Sequence, residues 1–182
     1  MKAQTMQAKL LCLTHYLQGR LYPRLIYLSC ALVCAASLAI AILYMQDVLW
    51  LEPCPYCKLQ RVVFFMMMVV FLLFAVINPK RIMAKISFMI LSLVTLLGVF
   101  FALKHISVQL NPSTDSAASC QATTNSITEV LDFQLIKEIL SAKGDCGTTD
   151  WALFGLSIPM LSLIAYVGLG LIGLIMLWLN RK

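Results

Sequence analysis

Two cysteines separated by two residues stand in the segment LEPCPYCKLQR, residues 51–61, between two apolar runs. Cys54 and Cys57 have the spacing of a redox-active dithiol, of half a metal site or of a structural disulfide. Pro55 suits the first position of a helix, so Cys57 should lie in the first helical turn. Because a helix N-terminus and a nearby cation both stabilise a sulfur anion, we predict that Cys57 ionises readily beside Arg61.

Arg61 follows Cys57 by four residues, and Gln60 follows it by three, so both should lie next to Cys57 on the helix surface. An ionisable residue at membrane depth indicates a functional site. The alternative is an arginine that extends its head to the lipid headgroups. The segment therefore predicts a reactive thiol with a permanent positive charge nearby, at the start of an apolar helix.

The composition is that of a membrane protein. Of 182 residues, 61% are apolar and 12% are charged, with a mean hydropathy of +0.88, whereas soluble domains are about 45–50% apolar and about 25% charged. The net charge of +6 does not indicate nucleic-acid binding, because the basic residues flank apolar runs. We expect one all-α membrane domain, a four-transmembrane-helix bundle. The expected spans are about 25–45, 58–77, 84–103 and 154–179, with outer loops at about 46–57 and 104–153.

Charge asymmetry predicts the orientation of the four spans. The two termini and the loop between the second and third spans hold nine basic and no acidic residues; the other side holds five basic and all eight acidic residues. The positive-inside rule then places both termini in the cytoplasm. Four cysteines face outward in this orientation (Cys54, Cys57, Cys120 and Cys146), and three do not (Cys12, Cys30 and Cys34). In a bacterium the outer side is an oxidising compartment in which disulfides persist.

The long second outer loop contains a polar, turn-rich stretch followed by an amphipathic pattern. Ser126 and Glu129 have the spacing of a capping box, and apolar residues recur at helical spacing through SITEVLDFQLIKEIL. This segment is too short and polar to span, so we expect a short surface helix with its apolar face on the membrane. The alternative is a helix packed on the other outer loop. Cys120 and Cys146 bracket this segment.

The remaining chemistry of the cysteines has competing interpretations. Cys120 and Cys146 either staple the loop or form a labile disulfide, and their small polar neighbours favour the labile one. A zinc site requires four ligands, and His105 is the only outward histidine, so we expect no metal site. Cys30 and Cys34 are expected to be small apolar residues on one face of the first span. Gly168, Gly170 and Gly173 should allow close helix approach in the last span.

Taken together, the motifs resemble those of the DsbB family, membrane proteins that reoxidise the periplasmic thiol oxidase DsbA. The resemblance rests on CPYCKLQR at the start of the second span, on Cys120 and GDC in the long loop, and on DWALFGLSIP before the last span. It implies that Cys54 and Cys57 pass electrons to a quinone, that Cys57 contacts the quinone ring, and that Arg61 belongs to the quinone site. It also implies that Cys120 forms the mixed disulfide with the partner and that Cys146 pairs with Cys120. The segment KHISVQLNPS resembles a family segment that would put His105 near the quinone; Gln60 is placed in the same site.

The function that follows from the resemblance is that of a quinone-dependent thiol oxidase of the bacterial inner membrane. Its expected partners are a DsbA-like thioredoxin-fold oxidase, the membrane quinone pool (ubiquinone or menaquinone) and the lipid bilayer, without nucleic acid. Two alternatives remain open. The chain could be a non-enzymatic four-span scaffold whose outer loop is held by a disulfide, or a DsbB-like specialist that serves one dedicated client.

Overall fold

The computed structural model describes residues 23–79, 82–111, 146–147 and 151–179. The predicted surface helix of the second outer loop, Cys12 and Cys120 lie outside these described residues. Four helices account for most of the described chain: α1 Pro23–Val48, α2 Pro55–Ile77, α3 Ile82–Leu110 and α4 Ile158–Leu179. Within the described residues these four are long and apolar enough to cross a membrane. The predicted all-α, four-helix membrane bundle is therefore confirmed.

The helices pack around a common core and expose apolar side chains on their outer faces. α3 packs against both α2 and α4, and α1 joins the core through the ring of Tyr27, which contacts Phe71 and Phe74 of α2. Large apolar residues such as Leu93, Val76 and Trp178 are exposed on the outside. An apolar exterior of this kind is suited to lipid, which is the solvent expected for these spans.

The C-terminal part of α1 departs from regular helical geometry. Residues Ile40–Val48 form a π-helix, and the Leu49 N–H donates to the Tyr44 carbonyl in the same five-residue pattern. Most π-helical segments are single turns, and they are frequent at functional sites. The wider turn lies opposite the first turns of α2, and it supplies a carbonyl to the site described below.

The ends of α2 are fixed by local sequence signals. Cys54 is the N-cap, with Pro55 in the first turn, and the Cys54 sulfur accepts a hydrogen bond from the Cys57 N–H at 3.3 Å. At the other end, Asn78 adopts a left-handed conformation with φ of 49° and closes the helix by donating its N–H to the Phe74 carbonyl. Left-handed Asn followed by Pro is a common helix stop.

Two element boundaries differ from the sequence-based expectation. The second outer loop was expected to begin at residue 104, but α3 continues to Leu110, because no breaker occurs before the Asn111-Pro112 pair. The last span was expected from about residue 154, but α4 begins at Ile158. The preceding residues form an unpredicted two-stranded hairpin, β1 Ala152–Leu153 and β2 Leu156–Ser157. Its turn residues Phe154 and Gly155 have φ of 52° and 80°, as two-residue hairpins require.

Close packing of α3 and α4 depends on glycines on both helices. A Cβ added to Gly98 would lie 2.8 Å from the Tyr166 ring, and one added to Gly170 would lie 2.9 Å from the Thr95 side chain. Gly173 similarly faces Leu91. The predicted packing role is confirmed for Gly170 and Gly173. It is wrong for Gly168, where an added Cβ would have no neighbour within 4 Å.

Candidate functional site

A cavity of about 410 Å³ lies among the four helices, at the end where α2 begins. Cys54, Cys57, Gln60, Arg61 and His105 all line it. The structure therefore brings five of the seven predicted site residues to one place. Of the other two, Cys120 lies outside the described residues and Cys146 does not line the cavity. A volume of this size is within the range of about 300–1,000 Å³ typical of small-molecule sites.

The rest of the lining is mostly apolar, with contributions from every helix and from the hairpin region. Its apolar side chains include Leu38, Met45, Phe64, Trp151, Leu153, Ile158, Leu161 and Ala165. Pockets of this composition bind apolar ligands and use a few polar groups to orient them. Here the polar groups include the two thiols, Arg61, Gln60 and His105, near the N-terminus of α2 and in the C-terminal part of α3.

The two thiols of the Cys-x-x-Cys motif contact each other. The Cys54 sulfur is 3.1 Å from the Cys57 sulfur, and the two residues are in the dithiol form rather than joined by a disulfide. Cys54 is 4% exposed, whereas Cys57 is only partly buried. A hydrogen bond to the Cys57 sulfur and, secondly, burial raise the pKa of Cys54 above that of an ordinary thiol. Cys54 therefore keeps its proton and donates it to Cys57.

His105 is buried against Cys54 rather than exposed in a loop. It is 2% exposed, its ring stacks on Tyr56 at 5.8 Å, and its Nε2 lies 3.6 Å from the Cys54 sulfur. α3 continues beyond residue 104 to Leu110, so His105 lies within the helix and not in an irregular loop. His105 lines the same cavity as Arg61. This position agrees with the expectation that both residues lie near a bound quinone.

Gln60 contacts Nδ1 of His105, the ring nitrogen that does not face Cys54. Its Nε2 lies 3.5 Å from the His105 Nδ1, and an amide nitrogen only donates. Nδ1 is then the acceptor, so a neutral imidazole carries its hydrogen on Nε2, the atom that faces Cys54. The donors run in one direction, from Gln60 to His105, from His105 to Cys54 and from Cys54 to Cys57. A series of hydrogen bonds that all point towards Cys57 favours negative charge on the Cys57 sulfur.

Arg61 is held at the cavity wall by α1. Its Nη1 donates to the Gln46 side-chain oxygen at 2.8 Å, and its Nη2 donates to the Ala41 carbonyl in the π-helical segment at 2.7 Å. Its charge also acts on both sulfurs. These contacts favour a positioned guanidinium over the alternative of free extension to the headgroups. Neither Gln46 nor Ala41 carries a motif that would have identified it from the sequence.

Tyr166 supports the site from α4 and was not predicted. It is fully buried, and its hydroxyl donates a hydrogen bond to the backbone carbonyl of Gln60 at 2.9 Å. Its ring stacks on Phe64 with ring centroids 4.5 Å apart. Gly98 gives the Tyr166 ring its space. The sequence did contain one signal for this contact: Tyr166 is a lone tyrosine in a glycine-rich apolar span. A buried Tyr hydroxyl needs a polar partner, so such a residue indicates a hydrogen bond inside the bundle.

The remaining cysteines divide into two groups. Cys30 and Cys34 are free and buried in the core, 2% and 0% exposed, which confirms the expected packing role. Cys146 is disulfide-bonded and buried. The predicted pairing of Cys146 with Cys120 falls outside the described residues and stays a prediction.

Comparison with known proteins agrees with the geometry of the site. Residues 23–176 match the family model described as "Disulfide bond formation protein DsbB". A protein of Xanthomonas axonopodis pv. citri named "Disulfide bond formation protein B" is 39% identical over 142 residues, which are 77% of this chain and 81% of the relative. Proteins of the same name from Methylobacillus flagellatus and Xylella fastidiosa are 38% and 33% identical. These alignments cover 74% and 79% of this chain, and 81% and 83% of the respective relatives.

Proposed function

Because the chain belongs to the DsbB family, a family of multi-pass membrane proteins of disulfide formation, we propose that it is a quinone-dependent thiol oxidase. In this role it reoxidises a DsbA-like periplasmic partner and delivers the electrons to the membrane quinone pool. The observation that carries the proposal is the common cavity, which contains Cys54, Cys57, Arg61 and His105 within an apolar wall. Electron transfer from protein thiols to a lipid-soluble acceptor requires a thiol pair and an apolar pocket, and this cavity contains both.

Cys57 is the thiol of the pair that meets the acceptor. It is the more accessible of the two sulfurs, it faces the cavity, and it receives the hydrogen bond from Cys54. The Cys54 sulfur is enclosed by donors, the Cys57 N–H and the imidazole Nε2 of His105. Oxidation of the pair forms the Cys54–Cys57 disulfide and releases two electrons and two protons.

The residues at the cavity fit a quinone head. A quinone ring is flat and apolar with two carbonyl oxygens, so it requires an apolar wall and a donor at its edge. Phe64, Leu161 and Ala165 contribute to the wall, and Arg61 supplies the donor. When bound, a quinone accepts the two electrons and two protons that the dithiol releases. Arg61 would orient the ring and favour negative charge on its oxygen, and its hydrogen bonds to α1 fix its direction.

Exchange with the partner is assigned to Cys120 and Cys146. A partner dithiol attacks their disulfide at Cys120, a mixed disulfide forms, and the second partner thiol releases the oxidised partner. The two thiols left on this chain then reduce the Cys54–Cys57 disulfide by a second exchange of the same kind. Each exchange transfers two electrons and two protons. The observed disulfide at Cys146 supports this assignment.

The site is proposed to face the periplasm, with both termini in the cytoplasm. The support is the distribution of basic residues on the two sides of the bundle. Thiol exchange with a secreted oxidase requires this orientation, because disulfides form in the periplasm and are reduced in the cytoplasm.

Turnover of quinone by the purified protein tests the proposal. The full chain in detergent or proteoliposomes is mixed with a reduced thioredoxin-fold oxidase and a short-chain ubiquinone or menaquinone, and quinone absorbance and partner thiols are followed. The proposal predicts one quinone consumed for each partner disulfide formed. A stapled scaffold predicts no quinone loss, and a specialist for one client predicts turnover with that client alone.

A further inference from the structure

Three soft metal ligands converge at the outer end of the cavity. The sulfurs of Cys54 and Cys57 and a ring nitrogen of His105 all lie within 4.8 Å of one another. From this geometry we infer that the reduced site binds a soft divalent metal ion, Zn²⁺ or Cd²⁺, through two thiolates and one imidazole. The sequence did not favour a metal site because zinc usually takes four protein ligands and His105 was the only histidine expected on the outer side.

The distances are close to those of a tetrahedral zinc centre. Bond lengths of about 2.3 Å to sulfur and about 2.0–2.1 Å to nitrogen imply sulfur–nitrogen separations of about 3.6 Å and sulfur–sulfur separations of about 3.8 Å. The Cys54 sulfur lies 3.6 Å from the His105 Nε2. The two sulfurs are 3.1 Å apart and must separate by about 0.7 Å. Cys57 can provide this movement because it is only partly buried and faces the cavity.

Gln60 supplies the outer partner that a metal-binding histidine needs. When Nε2 binds metal, the imidazole hydrogen moves to Nδ1 and requires an acceptor. The Gln60 amide lies 3.5 Å from Nδ1, and a half-turn of the amide presents its oxygen there instead of its nitrogen. Gln60 can therefore serve both states of His105, while its backbone carbonyl still accepts a hydrogen bond from the Tyr166 hydroxyl.

The site also has space for a fourth ligand, and its two thiolates balance the charge of a divalent metal ion. The fourth coordination position faces the cavity, where water can occupy it. Binding forms two metal–sulfur bonds and one metal–nitrogen bond, and the thiol protons leave to solvent without oxidation or reduction. The nearby Arg61 opposes the cation but favours the thiolate form of both ligands.

This inference goes beyond thiol oxidation, and only one of its consequences rests on the proposed function. Metal binding uses both sulfurs, so it requires the reduced pair, and the Cys54–Cys57 disulfide cannot bind. If the chain is a thiol oxidase, Zn²⁺ or Cd²⁺ would therefore hold the reduced enzyme in an inactive state. Binding itself is a property of the reduced site and does not depend on any partner or acceptor.

Titration with Co²⁺ tests the site, because cobalt bound to thiolate has a characteristic charge-transfer absorption. The sample is the full chain with its other five cysteines replaced, so that only Cys54 and Cys57 contribute sulfur. The inference predicts one Co²⁺ per reduced chain, displaced by Zn²⁺. The same protein after oxidation with diamide should bind none, which provides a control that needs no further substitution.

Three further variants separate a coordinating role of His105 from a structural one. Gln60→Leu should weaken metal affinity by about 10- to 100-fold, as loss of a partner behind a metal-bound histidine does. Gln60→Glu keeps an acceptor for Nδ1 and should restore it. His105→Ala should lose more affinity than Gln60→Leu. The inference is overturned if the reduced chain shows no thiolate–cobalt absorption, or if His105→Ala or oxidation leaves it unchanged. Quinone turnover is measured separately, so binding without turnover would contradict only the proposed function.

Discussion

The imidazole Nε2 of His105 lies 3.6 Å from the Cys54 sulfur, although the two residues are 51 positions apart in the chain. The contact joins the C-terminal part of α3 to the N-cap of α2, and the other ring nitrogen of His105, Nδ1, faces the Gln60 amide. Cys54 is therefore the buried sulfur that accepts hydrogen bonds, and Cys57 is the more accessible sulfur of the pair. This asymmetry leads to the predictions below.

Removal of the imidazole should slow oxidation of the dithiol. We expect His105→Phe to reduce the rate of quinone reduction by about 10- to 100-fold, because Cys54 must lose its proton during oxidation and a hydrogen bond to a charged group contributes about 1.5–3 kcal/mol. The measurement is the turnover number at saturating quinone. Gln60→Leu keeps the imidazole and removes only its contact at Nδ1, so the loss of rate should be smaller. Equal rates in His105→Phe and the unchanged chain would exclude a role of His105 in the reaction.

Arg61 should affect binding of the acceptor more than the exchange between thiols. Arg61→Ala removes the cation and the donors at the cavity wall, so we expect the KM for quinone to rise by at least about tenfold, which corresponds to about 1.4 kcal/mol. Gln46→Ala is a matched control, because it removes one hydrogen bond of Arg61 and leaves the charge. Its effect on KM should be smaller. A change in thermal stability with no change in KM would make Arg61 purely structural.

The two thiols should differ in reactivity. Cys54 is buried, and its hydrogen bond to Cys57 and its burial raise its pKa, so it forms the reactive anion less readily than an ordinary thiol. We expect a neutral alkylating reagent to label Cys57 first in the reduced chain at pH 7 to 8. Mass spectrometry of peptides after brief labelling measures the order. Faster labelling of Cys54 would reverse the proposed roles of the two sulfurs.

Packing between α3 and α4 should be needed to hold the site together. Gly98→Ala places a methyl group 2.8 Å from the Tyr166 ring, which packs on Phe64 and holds the Gln60 carbonyl. Overpacking of this kind costs about 1–3 kcal/mol, so we expect a lower thermal unfolding temperature in detergent. Gly168→Ala is the control, since nothing lies within 4 Å of the added Cβ. An equal effect of the two substitutions would contradict the packing account.

Local patterns in the sequence were sufficient to predict the bundle and one side of the site. Apolar runs indicated four spans, and Pro55 indicated that Cys57 and Arg61 share the first turns of α2. These features depend on residues close together in the chain. The same holds for the helix stop at Asn78, which follows directly from the Asn-Pro pair.

Contacts between distant segments could not be predicted in this way. The position of His105 depends on two extra turns of α3, and apolar runs alone do not distinguish a helix end from a membrane boundary. The partner of Arg61 on α1 depends on a π-helical turn that no local motif signals. Tyr166 is 106 positions from Gln60 and meets it only because Gly98 lets α4 approach.

The central claim is that the Cys54–Cys57 pair passes its electrons directly to quinone in the cavity. Single turnover tests it most directly: the chain with Cys120→Ser and Cys146→Ser is fully reduced, freed of reductant and mixed anaerobically with one equivalent of quinone. The account predicts one quinol and one Cys54–Cys57 disulfide per chain, and neither product in Cys57→Ser. Thiols that stay reduced while quinone persists, or quinol formed in equal amount by Cys57→Ser, would contradict it.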